Sequence, residues 1–186
     1  KKYKFSHILR VPETPKTYLA LGNVLHKVFE ILSTMQKDGK TISKKLGYEL
    51  LEKYWDVSSY ETDAKETQDK TRAKKMIDNF IKWAVANTNK VIGNEIPFQL
   101  KLAGKIIRGK IDRLEMDSIG NYYVVDYKTG ACYESENSIS QNIQMNVYAL
   151  AVEQKFNKLP LQTSLFYVND DKIINYLISN KSNVEN

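Results

Sequence analysis

Two segments, Lys105 to Met116 and Tyr122 to Lys128, constrain this chain more than any other part of it. Both are rich in β-branched and aromatic residues, and Gly120 and Gly130 bracket the second, so each is predicted to be a strand. Asp117-Ser118-Ile119-Gly120-Asn121 lies between them, and this turn chemistry makes the pair a hairpin. Side chains two apart on a strand share a face. Asp126 and Lys128 therefore project together, while Val125 and Tyr127 turn the other way. Taken alone, that carboxylate and ammonium read equally well as a salt bridge.

A second acid changes the reading. Asp112, on the first strand, can bring its carboxylate toward Asp126 across the hairpin. Two converging carboxylates repel, and both stay ionised only with a cation between them. Oxygen donors of this kind favour Mg²⁺ or Mn²⁺, which retain waters that a phosphate substrate can displace. Lys128 would then stand where it can orient an attacking water and offset developing negative charge.

Four ordered stretches extend the pattern: Gly22-Asn23-Val24-Leu25-His26, Gly109-Lys110-Ile111-Asp112-Arg113, Val125-Asp126-Tyr127-Lys128-Thr129-Gly130, and Gln144 through Tyr148. In that order they resemble the PD-(D/E)xK nuclease superfamily, and within it the RecB-like nuclease domains at the C-termini of UvrD/RecB-like helicases. The resemblance runs from about Leu21 to about Val168. It implies an α/β fold of mixed α+β type, with a restriction-endonuclease-like core in which a central mixed sheet is flanked by helices. It also implies metal ligation by His26, Asp112, Asp126 and the main-chain carbonyl of Tyr127, with Lys128 as the catalytic lysine. Gln144 and Tyr148 would support the site or the DNA. The activity implied is that of a Mg²⁺- or Mn²⁺-dependent deoxyribonuclease, exo- or endonucleolytic. Its substrate would be single-stranded DNA delivered by a helicase, in the same chain or a partner, during DNA repair or recombination. The alternative is a DNA-binding clamp that keeps the fold without cutting. Asp112, Asp126 and Lys128 together favour the enzyme, and a metal-free structural domain would leave the two acids adjacent without a reason.

Each residue also has a plainer reading. His26 lies in a helical stretch whose buried stripe is Leu25, Val28, Phe29 and Leu32, and a lone His beside such a stripe is ordinarily structural or solvated. Gly22, one turn earlier, permits close approach of another element. His7 matches no motif. Gln144 and Tyr148, four apart, share one helix face, beside an apolar face of Ile143, Val147, Leu150 and Ala151. Either can be a boundary residue satisfied by backbone groups. Glu95 opens a strand whose Pro97 suggests a sheet edge, and it ranks only as a supporting candidate. Arg113 reads equally as an ion-pair partner or a phosphate contact.

Composition fits this picture. The 186 residues suit one domain, with residues 1–90 mainly helical and 91–178 a βββαβ catalytic core. The formal charge of +6 and pI near 9.1 suit a phosphate-backbone partner. Lys44-Lys45, Arg72 to Lys75 and Lys105 to Lys110 read individually as solvated faces, and the 12 tyrosines offer stacking surfaces for bases. No apolar run is long enough to span a membrane and no signal peptide is visible. The single cysteine, Cys132, points to a reducing, cytoplasmic setting and cannot by itself hold the iron–sulfur cluster of some RecB-like nucleases, which takes four cysteines. Lys1 stands first and Tyr3 to Pro12 resemble the lead-in to helicase-fused nuclease domains, so the chain is expected to be excised from a longer protein. It contains no G-x-x-x-x-G-K-[ST] motif, so any ATP-driven motor lies elsewhere.

The element order follows from periodicity and capping. Helices are expected from about Tyr18 to Met35, from a Ser43 cap to about Trp55 along Leu46, Leu50 and Tyr54, and from a charged stretch after Ser58 to about Thr88. The third buries Ala73, Met76, Ile77, Phe80, Ile81 and Ala84. Strands are expected at roughly Val91 to Leu102, Lys105 to Met116 and Tyr122 to Lys128. A helix over about Ser140 to Val152 follows, then a strand at Thr163 to Val168 and a strand or short helix after Asp171.

Overall fold

Five strands assemble in chain order into one sheet, β1-β2-β3-β4-β5. The structure is a computed structural model that describes residues 17–102, 104–132 and 142–178. Among the described residues three helices come first: α1 (Thr17–Lys37), α2 (Lys44–Tyr54) and α3 (Asp63–Ala86). Then come β1 (Lys90–Leu102), β2 (Lys105–Met116) and β3 (Tyr122–Lys128), followed by α4 (Ile143–Phe156), β4 (Gln162–Tyr167) and β5 (Lys172–Leu177). β1, β2 and β3 are antiparallel neighbours, β3 and β4 are parallel with α4 as the crossover, and β4 and β5 are antiparallel. The mixed sheet flanked by helices is thus the expected architecture, and Pro97 does lie on an edge strand.

Local chemistry sets the boundaries. Ser43 Oγ accepts the Leu46 N–H at 3.3 Å and starts α2 as expected. Between α2 and α3, Asp56 caps a short 3₁₀ turn over Val57–Ser59, and Thr62 then caps α3. In the hairpin turn, Asp117 Oδ1 accepts the N–H groups of Ile119 and Asn121 at 3.0 and 2.8 Å, and Gly120 takes φ 85°. The last element is a strand, entered through a turn with Asp171 at φ 50°.

Two cores sandwich the sheet. α1, α2 and α3 cover one face, against Val125, Tyr127, Phe166 and Val168. α4 covers the other, against Ile111, Leu114, Val124, Leu165 and Ile174. Alternation along β3 and β4 divides their residues between the two, which leaves both faces of the central strands apolar. The six α3 residues predicted to be buried are buried. On α2 the buried ridge is Gly47 and Leu51, with the expected Leu46, Leu50 and Tyr54 only partly covered beside it. A Cβ on Gly47 would lie 2.5 Å from Ile77 Cγ2, so the glycine is what lets α3 press closely there. On α4 the expected apolar face is corrected at its start. Ile143 is 77% exposed, and Met145, Tyr148, Ala149 and Val152 are buried instead, alongside Val147 and Ala151. The helix is rotated so that Gln144 and Tyr148 reach the acidic strand ends. Ser140 and Gln141, where this helix was expected to begin, and the stretch Lys1 to Lys16, with His7, lie outside the described residues.

Candidate active site

The two acids sit where β2 and β3 part. Their ladder runs from Met116↔Tyr122 to Arg113↔Val125 and stops there, one step before Asp112 and Asp126. Beyond this fork β2 stays with β1, and β3 stays with β4. Asp112 Oδ2 then accepts the Tyr127 N–H at 2.9 Å, so a side chain supplies the partner that a backbone carbonyl would otherwise provide. The Tyr127 ring is buried on the opposite side among Phe29, Phe80 and Trp83, so only its main chain adjoins the acids.

Side-chain alternation breaks at the same level. Asn94 and Arg113 reach α1, donating to Thr34 Oγ1 at 3.4 Å and Ser33 Oγ at 3.1 Å. Ile96 and Ile111, two residues away, should share that face, yet both pack under α4. Between them lies Glu95 at φ 48°, a left-handed conformation uncommon for a residue with a Cβ. Gly93 accommodates the break, since a Cβ there would lie 2.9 Å from Ile96 Cδ1. The inversion turns Glu95 and Asp112 toward α1, where His26 Nδ1 is 3.5 Å from Asp112 Oδ2. One donor atom each from His26, Glu95 and Asp112 lie within 4.8 Å of one another. Glu95, which the family resemblance made only a supporting candidate, therefore stands beside His26 and Asp112.

Asp126 is 2% exposed and sits in a network with Lys128, Gln144 and Tyr148. Its Oδ1 accepts Gln144 Nε2 at 2.9 Å and the Tyr148 hydroxyl at 3.0 Å. Gln144 Nε2 also donates to the Tyr148 oxygen at 2.8 Å, and Gln144 Oε1 accepts Lys128 Nζ at 2.9 Å. The amide orientation is dictated by its neighbours, because an ionised carboxylate only accepts and an ammonium only donates. Lys128 Nζ lies 2.6 Å from Asp126 Oδ2, close enough for an ion pair but outside hydrogen-bond geometry. Asp126 Oδ2 is thus buried and accepts no hydrogen bond. The helix face shared by Gln144 and Tyr148 and the strand face shared by Asp126 and Lys128 meet as expected.

Electrostatics follow from this crowding. Burial, and then the charge on Asp126, push the Asp112 carboxyl up to about 6, against the opposing pull of His26 and the Tyr127 N–H. Burial and then the charges of Asp126 and Asp112 raise the Tyr148 phenol well above its ordinary value, so it stays a hydroxyl donor. The donor set fits a hard divalent cation: clustered carboxylates beside an imidazole, and one acid disfavoured in its charged form.

Other candidates fall away. Arg113 is 1% exposed and is the ion-pair partner of Glu115 at 2.6 Å, with Gln36 and Ser33 as further acceptors and Trp83 beneath its guanidinium. It is a structural residue. A Cβ on Gly22 would meet Thr129 Oγ1 at 3.5 Å, an ordinary contact, so the close approach expected there would tolerate a methyl. A cavity of about 350 Å³ near Trp83, Asn87, Glu115 and Ser164 opens on the α3 side of the sheet, away from Asp126. Glu95 stands closer to the site than plain strand alternation places it. The run Gly93-Asn94-Glu95 between the apolar Val91-Ile92 and Ile96 was the available signal for a break there.

The sequence as a whole agrees with the geometry. No curated protein sequence matches the chain. The family model of the PD-(D/E)XK nuclease superfamily matches residues 1–183, which takes in all four helices and all five strands named above. The chain belongs to the PD-(D/E)XK nuclease superfamily.

Proposed function

We propose that this domain hydrolyses phosphodiester bonds of DNA with Mg²⁺ or Mn²⁺, acting on single strands delivered by a helicase module in the same or a partner chain during repair or recombination. The observation that carries the reading is the fork at Asp112 and Asp126, with Lys128 held between Asp126 Oδ2 and Gln144 Oε1. His26, Glu95, Asp112, Asp126 and the Tyr127 carbonyl would hold the cation. When bound, it polarises the scissile phosphate and makes water a better nucleophile at neutral pH.

The protein's own groups do the rest. Lys128 presents N–H donors beside Asp126 and is placed to orient the attacking water and to offset charge gathering on the phosphate oxygens. Gln144 fixes both Lys128 and Asp126 through opposite ends of one amide, and Tyr148 holds Asp126 Oδ1. These three bonds limit the rotamers open to the acid and the lysine, so the site is arranged before substrate arrives. Overall, water oxygen bonds to phosphorus, the phosphorus–oxygen ester bond breaks and the departing alkoxide takes up a proton.

End-labelled single-stranded and duplex DNA incubated with the protein in Mn²⁺, Mg²⁺ or EDTA tests this directly. Products that need metal, with the single strand cut faster, are expected. Binding without products in either metal would instead make the domain a clamp.

A further inference from the structure

The hairpin that carries Asp112 outlasts the sheet. β2 leaves β3 at Arg113↔Val125, yet β1 and β2 stay paired out to Leu102↔Lys105. The overhang has two unlike faces. One belongs to the core under α4: Phe98 meets Tyr148 edge-on at 5.9 Å between centroids, with Leu100 and Ile107 beside it. Gly109 makes room for that ring, since a Cβ there would lie 2.7 Å from Phe98 Cζ. The other face is exposed and carries Gln99, Lys101, Ile106, Arg108 and Lys110, in the pairs Gln99↔Arg108, Lys101↔Ile106 and Pro97↔Lys110.

The projecting hairpin carries basic groups and no acid. From Pro97 to Lys110 there is no Asp or Glu, against Lys101, Lys105, Arg108 and Lys110. Several lysines on the helices stand beside acids instead, as in Lys27–Glu30, Lys44–Asp78 and Lys82–Asp171. Among the described residues, Lys101, Lys105 and Arg108 have no carboxylate within ion-pair distance. Ile106, 56% exposed, sits among these cations, although isolated two-stranded ribbons gain nothing from apolar side chains on their solvent side. Lys110 ties the face to the acids, because its Nζ lies 3.3 Å from Glu95 Oε2. The row Lys110, Arg108, Ile106 therefore starts beside Glu95 and runs outward for about 13 Å at ~3.3 Å per residue.

We propose that this face is the track of the substrate strand: single-stranded nucleic acid lies along the hairpin, phosphates on Arg108 and Lys101 and, at the turn end of the ribbon, on Lys105, with a sugar or base edge on Ile106. The assignment rests on the nuclease reading for its direction, since the track leads to the acids. Cations without partners attract phosphates through release of counterions, and an exposed apolar side chain between them suits the unstacked bases of a single strand. Arg108 donates Nε to Gln99 Oε1 at 2.7 Å, which steadies its guanidinium with the terminal nitrogens outward.

The test uses the whole chain with Lys101, Lys105 and Arg108 all changed to Gln, which removes each charge and leaves a polar side chain. Anisotropy of a labelled oligothymidylate of about 20 nucleotides, in EDTA and across a salt series, gives affinity and salt slope. The variant should bind at least about tenfold more weakly, with a slope smaller by about 2, at roughly 0.7 per lost cation on a single strand. Metal-dependent hydrolysis of a small chromogenic phosphodiester, too short to reach the hairpin, should be unchanged, and Lys101→Arg with Lys105→Arg should bind normally. Wild-type affinity and slope in the triple variant would overturn the track. So would an equal loss on the small diester, or no preference for the single strand over duplex. Failure of the wild type to hydrolyse any diester would remove the nuclease reading alone, since the binding experiment contains no metal.

Discussion

The main-chain N–H of Tyr127 donates to Asp112 Oδ2 across 2.9 Å, so the strand that bears Asp126 is tied to β2 by the other acid itself. That bond holds the two carboxylates at one level of the fork, and the cost appears in the Asp112 carboxyl, pushed up to about 6 by burial and by Asp126. The folded value is above that of an unfolded aspartate, near ~3.9. The neutral form is therefore favoured by the fold, and its contribution is complete below about pH 4 and lost as pH rises through about 6. Asp112→Asn makes that contribution permanent. At pH 7.5 the metal-free variant should be more stable than wild type by on the order of 1–2 kcal/mol, with the gap closing toward pH 4. Denaturant melts in EDTA at the two pH values check this, and a gap that widens on acidification would contradict it.

Lys128→Ala should separate chemistry from metal binding. A cation repels a cation, so calorimetric Mn²⁺ affinity should be unchanged or slightly tighter. Cleavage should fall by about two orders of magnitude or more, as when a preorganised donor is removed. Lost Mn²⁺ affinity with cleavage intact would exchange the roles assigned to Lys128 and the acids.

Tyr148→Phe removes one of the two hydrogen bonds to Asp126 Oδ1 while the ring keeps its edge contact with Phe98. Hydrogen bonds to charged groups contribute about 1.5–3 kcal/mol, and Gln144 remains, so the expected loss is about 1–2 kcal/mol. Turnover should drop without a matching rise in KM. An unchanged melt and unchanged turnover together would show that the hydroxyl does not hold the acid.

Two glycines behave oppositely. Gly47→Ala forces a methyl to within 2.5 Å of Ile77 Cγ2, on a fully buried side chain. It should destabilise by about 1–3 kcal/mol, partly offset by the better helix propensity of alanine. Gly22→Ala meets only Thr129 Oγ1 at 3.5 Å and should be neutral or slightly stabilising. Thermal melts of the two variants give the order.

Much of this arrangement was legible in the sequence because period and chemistry agreed. Asp126 and Lys128 share a face by strand alternation, Gln144 and Tyr148 by helical spacing, and their meeting follows from the crossover between β3 and β4. The Ser43 cap, the Asp117 turn and the buried stripe of α3 were likewise visible. Glu95 was not, because alternation assumes an unbroken pleat and the left-handed backbone at Glu95 inverts it. Arg113 was ambiguous for the same reason: burial beside Glu115 and Trp83 depends on which way β2 turns. Arg108 and Lys110 looked like part of a solvated face until strand pairing placed them with Lys101 on one side of a projecting hairpin.

The central claim is that Asp126 is needed for metal-dependent cleavage rather than for folding. Asp126→Asn keeps the side-chain shape and an oxygen able to accept from Gln144 and Tyr148. The direct measurement is the rate at which wild type and Asp126→Asn cut end-labelled single-stranded DNA in Mn²⁺, with a thermal melt of each. The account predicts metal-dependent products from wild type and none from the variant, with melting temperatures within a few degrees, about 1 kcal/mol or less. Cleavage by the folded variant at the wild-type rate would contradict it.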